Sequence, residues 1–379
     1  MHADFFRLFN DLIQLPSVSS ANRAFDMGNR PVIEHLATVF SALGFSCEVM
    51  DIAGQPHKAN LIATRGRGDG GLVLAGHTDT VPFDEKLWHV NPLQLTQKDG
   101  RLYGLGSTDM KGFFAVIHTA LQTFTATNFK HPLIIVATAD EESSMDGARA
   151  LVTQGRPRGR YAVIGEPTSL RPVNRHKGVM MERIHVQGKS GHSSNPALGH
   201  NALEAMHDII GDLLLLRAQL QRDYRNPHFV LDMPTLNLGV IHGGDNPNRI
   251  CGHCELEFDI RLLPGMASNN LRDTIRERIE PIIKRHQVEF TFTPLFPGVE
   301  PFANHNDDLL RTCEKLTGYN AQSVSYGTEA PFLQQLGMDT IVLGPGSIDV
   351  AHQPDEYMEL GQVQPCIDIL RKLIEHYCL

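Results

Sequence analysis

Residues 72–82 read LVLAGHTDTVP, and the change from apolar to polar inside this stretch decides the fold class. Leu72, Val73, Leu74 and Ala75 form an unbroken apolar run of strand length, ended by Gly76. A run of this kind suits a strand buried on both faces, as at the centre of a parallel sheet. His77 and Asp79 follow at once, two residues apart, where such a strand leaves the sheet. In an open parallel sheet, ligands gather at the carboxyl ends of strands. A neutral imidazole there suits a divalent metal, with the carboxylate placed to orient it or a catalytic group. A polar cap on a strand-end turn is the other reading of the same two residues.

Working outward, the same arrangement recurs. Residues 132–137 (PLIIVA) form a second buried-type strand, which exits into Thr138-Ala139-Asp140-Glu141-Glu142. Three consecutive acids after an apolar strand supply a ligand and a separate general base side by side; a solvated loop is the alternative. The strand at 161–164 exits at Gly165-Glu166-Pro167-Thr168. Between them, GLGSTDMKGFFAVIHTAL (104–121) places Asp109 in a glycine-bounded turn at a helix entrance, where Asp also serves as a cap. His352, in DVAHQPDEY, precedes a closing helix expected at 363–377. Each signal alone is weak, and their repetition at strand exits is the evidence.

The remaining pattern divides the chain. Helices are expected at 4–15 and 32–43, strands at 45–50 and 60–63, and a short hairpin around Lys98-Asp99-Gly100. From residue 179 the order becomes strand (181–186), the turn GKSGHSSNP, a long helix (201–225), strands at 235–241 and 255–262, a helix (269–285) and a strand (288–292). That β-α-β-β-α-β run reads as a smaller α+β sandwich inserted at 178–290. Strand–helix alternation then resumes, with helices at 309–316 and 330–336 and strands at 321–325 and 340–343. The expectation is an α/β protein whose catalytic domain comprises 1–177 and 291–379.

Composition narrows the function. The 379 residues suffice for two domains, and a net charge of -9 argues against nucleic acid or an anionic membrane as main partner. No apolar run reaches membrane-spanning length, and MHADFFRLFNDLIQL is an amphipathic helix carrying acids rather than a signal peptide. The six cysteines lack a disulfide-framework spacing, so a reducing cytoplasm is the expected setting. Cys251-Gly252-His253-Cys254 precedes a strand-like run, whereas a redox pair should open a helix. Gly104-Leu105-Gly106 lacks the context of a dinucleotide loop, and His118 and His207 fall within expected helices.

Taken in order, AGHTDTVP, GSTDMKGF, ADEE, GEPT, GHSSNPA and AHQPDEY resemble the dinuclear zinc aminoacylase/carboxypeptidase family of metallopeptidases, over nearly the whole chain. That family includes succinyl-diaminopimelate desuccinylase and acetylornithine deacetylase. GEPTSLRPVNRHKG, HGGDNPNRICGHCELEFDIRLLPGM, GTEAPF and LGPGSIDVAHQPDEY look closest to the acetylornithine deacetylase branch. The resemblance implies a zinc-exopeptidase-like catalytic domain with a mixed, mostly parallel sheet, and an inserted dimerisation (lid) domain that makes a homodimer. It implies two Zn2+ per chain, with Co2+ able to substitute. His77 and Glu166 would ligate one ion, Glu142 and His352 the other, and Asp109 would bridge them. Asp79 would orient His77, Glu141 would be the general base and acid, and the Asp109–Met110 bond would be cis. The implied reaction removes acetate from N2-acetyl-L-ornithine, a step of arginine biosynthesis, with another N-acyl amino acid or a dipeptide as alternative substrate. Arg261, with Asn248 and the Gly344-Pro345-Gly346 loop, is the implied seat of the substrate α-carboxylate; a structural ion pair is the other reading of Arg261. Glu329 is either a partner for ornithine's distal ammonium or a charge at a helix N-terminus. His192, in the inserted domain, is implied to enter the partner's cleft and donate to the oxyanion.

Overall fold

The strand that opens the sequence reading spans Leu72–His77 and is buried at every position. The computed structural model describes residues 3–379, which fall into two units: 3–174, 304–322 and 328–379 in the first, 175–303 and 323–327 in the second. The expected catalytic domain began at residue 1, and its first two residues lie outside the described ones.

In the first unit the strands lie in the order Ser46–Ile52, Gln55–Arg65, Leu133–Thr138, Leu72–His77, Tyr161–Ile164, Asp339–Val342. The central pairings are parallel and those at the Ser46–Ile52 margin antiparallel, so the sheet is mixed. Parallel neighbours need crossovers, and the helices Lys111–Leu121 and Asp146–Gln154 provide them. Leu133–Thr138 and Tyr161–Ile164 are also buried throughout, which explains why all three strands read as unbroken apolar runs. Register then aligns their exits: His77 pairs with Thr138 and Ala75 with Ile164. The segment after Thr138 therefore leaves the sheet at the level of His77, and the segment after Ile164 two residues earlier. Helix Lys111–Leu121 is apolar almost all round because it is a core helix. Its Phe113 and Phe114 share one core with Phe5 and Phe9 of Ala3–Ile13 and with Val363 and Leu370 of Leu360–Cys378.

The second unit is an antiparallel four-stranded sheet in the order Thr235–Gly243, His253–Leu262, Gly178–Gln187, Glu289–Pro294. Cys254, Leu256, Phe258, Ile260 and Leu262 alternate inward along one strand and share a core with helices Ala202–Asp223 and Ser268–His286. The unit runs to Ala303 rather than ending at 290, because Glu289–Pro294 pairs with Gly178–Gln187. The edge strand Thr235–Gly243 carries exposed Val240 and Ile241. Elements additional to those expected from sequence include the helix Asp146–Gln154 and the strands Val173–His176, Phe302–Ala303 and Tyr357–Glu359. The cysteines are free, and Cys254 lies within a strand with its thiol pushed up by burial, the opposite of a redox-active pair. Among the described residues, no helix is long and apolar enough to cross a membrane.

Candidate metal centre

His77 ends its strand fully buried. Its Nδ1 lies 3.0 Å from the Asp79 carbonyl oxygen, which places a ring proton on Nδ1 and makes Nε2 the nitrogen that would face a metal. Nε2 faces Asp109 Oδ1 at 2.9 Å and Glu166 Oε2 at 3.9 Å. The other Asp109 oxygen, Oδ2, is 3.2 Å from His352 Nε2, which lies 2.9 Å from Glu142 Oε1. Asp109 thus turns one oxygen to each of two half-sites. Two ligand atoms each about 2 Å from one tetrahedral ion stand roughly 3.3 Å apart, and the observed separations bracket that value. Glu141, half-buried, belongs to the same cluster: ligand atoms of His77, Glu141 and Glu166 lie within 4.8 Å of one another, as do those of His77, Asp109 and Glu142.

Each ligand loop is fixed by its own contacts. Asp79 meets His77 Nδ1 through its carbonyl, while its Oδ1 stands 3.7 Å from the same nitrogen. The carboxylate instead accepts the backbone N–H groups of Glu141 (3.2 Å) and Glu142 (3.0 Å), which seats the acidic turn. That turn begins at Asp140, whose φ of 60° is left-handed and whose Oδ1 accepts from Lys58 Nζ at 2.6 Å and Ser19 Oγ at 2.8 Å. The Asp109 loop is held by Glu356, which is 2% exposed. Its carboxylate accepts N–H groups from Gly106 (3.0 Å), Thr108 (2.7 Å) and Asp109 (3.0 Å). Buried Lys111 donates to the carbonyls of Leu12 (3.2 Å) and Leu15 (2.7 Å), tying the first helix to the same loop. The Asp109–Met110 bond is cis. Glu166 follows Gly165, where a Cβ would stand 2.1 Å from the Phe113 ring, so only glycine lets the strand exit here.

The electrostatics call for cations. Burial pushes the Glu141 and Glu166 carboxyls well above the ordinary range, and repulsion among the neighbouring acids adds to it. Burial alone would lower His77, but Asp109, Glu166 and Asp79 outweigh it and raise its pKa well above the usual value. Glu166 Oε1 is buried without a hydrogen-bond partner. Crowded buried carboxylates cost several kcal/mol each unless paired or bound to metal. Once ionised, Asp109, Glu141, Glu142 and Glu166 would carry charges that two divalent cations could neutralise, and imidazole with carboxylate is a fitting donor set. The residues present therefore fit a pair of divalent ions.

The other expected site residues are engaged within the first unit or belong to the second. Gly344 N–H donates to Thr168 Oγ1 at 3.2 Å and Gly346 N–H to Gln362 Oε1 at 2.7 Å, so these amides brace the ligand loops and are not free for a substrate carboxylate. Glu329 is 2% exposed, with burial pushing its carboxyl to about 7. A carboxyl this deeply buried is not presented at the surface of its unit. His192, Asn248 and Arg261 belong to the second unit. There, Ser193 N–H donates to the Asn248 carbonyl at 3.0 Å, which brings the His192 and Asn248 loops together. Ser194 N–H and Oγ lie 3.2 Å and 2.7 Å from His192 Nδ1, and the N–H donation places the ring proton on Nε2. Arg261 Nε donates to Asp259 at 3.0 Å, the ion pair foreseen as an alternative. Glu356, Lys58 and Lys111 are absent from the sequence reading. The one available signal was position, since Glu356 follows His352 by four residues and Lys111 follows Asp109 by two.

Comparison with known proteins places the fold and the family. The family model described as peptidase family M20/M25/M40 matches residues 73–376. A tripeptidase structure from Staphylococcus aureus superposes with a TM-score of 0.73 at 20% identity, covering 98% of this chain and 97% of the other. An M20 family metallo-carboxypeptidase from Sulfolobus solfataricus gives 0.77 at 16% identity, with 99% of each chain covered. A dinuclear metal binding M20 peptidase from Bacillus subtilis gives 0.68 at 16% identity, covering 97% of this chain and 96% of that one. At these identities the solved structures establish the shared fold.

Proposed function

We propose that this chain, which belongs to peptidase family M20/M25/M40, is a metal-dependent amide hydrolase converting N2-acetyl-L-ornithine to acetate and L-ornithine. One observation carries the chemistry: Asp109 turns an oxygen to each histidine, with Glu141 beside them. His77, Asp109 and Glu166 would hold one ion, and Asp109, Glu142 and His352 the other. Two bound divalent ions, zinc or cobalt in its place, would polarise the acyl carbonyl and lower the pKa of a water toward about 7. Glu141 accepts a proton from the attacking water, whose oxygen bonds to the acyl carbon. The C–N bond then breaks, and Glu141 returns that proton to the departing nitrogen. Acetate and a free amine result without a covalent acyl-enzyme.

The choice of an N-acyl amino acid rests on the motif resemblance around Glu166, Asn248, Arg261, Glu329 and His352. In that reading Arg261 pairs with the substrate α-carboxylate, and Arg261→Ala weakens free acids far more than their methyl esters. His192 donates to the oxyanion from the partner of a homodimer formed through the second unit. A proton on Nε2 suits that donor role, and the edge strand with exposed Val240 and Ile241 suits self-association. The test is a substrate panel with zinc or cobalt added: N2-acetylornithine, N-acetylmethionine, N-succinyl-diaminopimelate and a dipeptide. The expected result is a clear kcat/KM preference for N2-acetylornithine. A preference for the dipeptide would replace this reading with peptidase activity.

A further inference from the structure

A cavity of about 520 Å3 opens at the end of the central strands that lies away from the metal centre. Its wall is made by residues 68–71, His131, residues 158–161, His376 and Tyr377, all of the first unit. Gly71 immediately precedes the strand Leu72–His77, and Tyr161 opens the parallel strand beside it. From Gly71 to His77 the chain rises roughly 20 Å at about 3.3 Å per residue, so the cavity and the proposed ligands are well separated.

Arg158 and Arg160 bring two guanidinium groups to this wall, and among the described residues neither makes an ion pair. By contrast Arg156, just before them, holds Glu48 with two nitrogens at 2.8 and 2.6 Å. Asp69 is the one acid in the wall, and Asp339 feels the Arg160 charge without pairing with it. The loop 66–71 (GRGDGG) adds backbone donors. Left-handed φ at alternate residues, Gly66, Gly68 and Gly70 (97°, 95° and 84°), is the kind of backbone that gathers successive N–H groups into an anion-binding nest. Among the described residues, the N–H groups of 68–71 have no hydrogen-bond partner. The loop is also held in place. His131 Nδ1 donates to the Asp69 carbonyl at 3.0 Å, and a Cβ on Gly71 would stand 2.0 Å from the Pro132 carbonyl oxygen. The Tyr161 and Tyr377 rings lie 4.2 Å apart, with their hydroxyls bonded to Asp308 (2.6 Å) and Thr312 (3.1 Å).

We propose that this cavity binds the phosphate group of a small organic molecule, at a site separate from the hydrolytic centre and independent of the reaction there. Two guanidinium forks and the loop N–H groups offer more donors than the two oxygens of a lone carboxylate accept. A phosphate monoester presents three strong acceptor oxygens and close to two negative charges, and arginine pairs with such oxygens bidentately. The volume exceeds what a bare phosphate fills, which leaves room for the organic part.

The metal-loaded protein is titrated calorimetrically with glycerol 3-phosphate, inorganic phosphate and malonate. The expected result is saturable binding of one glycerol 3-phosphate per chain, tighter than inorganic phosphate and roughly tenfold or more tighter than malonate. Arg158→Gln combined with Arg160→Gln, at exposed positions that do not threaten folding, is expected to weaken glycerol 3-phosphate by roughly tenfold or more and to leave metal content unchanged. Arg158→Lys with Arg160→Lys keeps the charge without the fork and is expected to fall between. Arg67→Gln, on the same loop but outside the cavity wall, is expected to change affinity less than about twofold. No saturable binding overturns the inference. So does wild-type affinity in the double Gln variant, which would put the phosphate at the metal ions instead. A loss in Arg67→Gln equal to that of the double variant would replace the site with diffuse attraction to a basic surface. Inorganic phosphate binding as tightly would overturn the organic part of the assignment, and malonate binding as tightly would overturn the phosphate.

Discussion

Glu141 and Glu142 are neighbours in sequence, yet only Glu142 meets a histidine within hydrogen-bond distance, His352 at 2.9 Å. Glu141→Gln keeps the shape and loses the proton carrier. It is expected to retain its metals and lose about 10²–10⁴ in kcat with KM little changed. Steady-state kinetics with elemental analysis checks this, and near-normal turnover would remove Glu141 from the mechanism. Glu356 is a positioning residue, accepting three backbone N–H groups around Asp109. In Glu356→Gln the amide NH2 meets N–H donors, and in Glu356→Ala all three are left unpaired. Metal affinity is expected to fall roughly 10–100-fold in Ala and less in Gln. Titration of apoprotein with zinc measures it, and wild-type affinity in Ala would contradict the role. The convergence of His77, Asp109, Glu142, Glu166 and His352 was legible in sequence because ligand-type residues follow apolar strands or stand in a family motif. Glu356 and Lys58 were not. Their partners are backbone N–H groups or a remote carboxylate, and only the folded chain brings these within reach.

The strand exits work as a set because register places them within two residues of one another, with His77 opposite Thr138 and Ala75 opposite Ile164. Gly165 is the tightest point in that set. Gly165→Ala drives a methyl to 2.1 Å from Phe113 Cδ1, within a core that cannot yield freely. Overpacking of this kind costs about 1–3 kcal/mol, and the displaced Glu166 should weaken metal binding as well. Adding Phe113→Leu is expected to restore part of the lost stability, a coupling that thermal unfolding of the double-mutant cycle detects. Additive losses would mean the clash relaxes elsewhere. The buried strands were legible because both their faces are apolar. The helix Asp146–Gln154 was not, since DGARALVTQ buries only Gly147, Ala148 and Leu151 and offers too short a stripe to show a period.

At the scale of the whole chain, the insertion was legible as a change from alternating strand–helix units to an α+β order. Its end was not, because the partner of Glu289–Pro294 lies about a hundred residues upstream and register is a tertiary property. The second unit carries His192, and the proposed homodimer makes a sharp expectation. Refolding His192→Ala together with Glu141→Ala should restore activity in the mixed dimer, where one site combines an intact base with the partner's intact histidine. Background activity, with mixed dimers confirmed by mass, would contradict action across the dimer. In the proposed centre Asp109 sits between two metal ions, and those ions can be counted. Elemental analysis of dialysed, zinc-loaded protein is expected to give two ions per chain. One ion per chain, or none, would contradict a dinuclear centre at His77, Asp109, Glu142, Glu166 and His352.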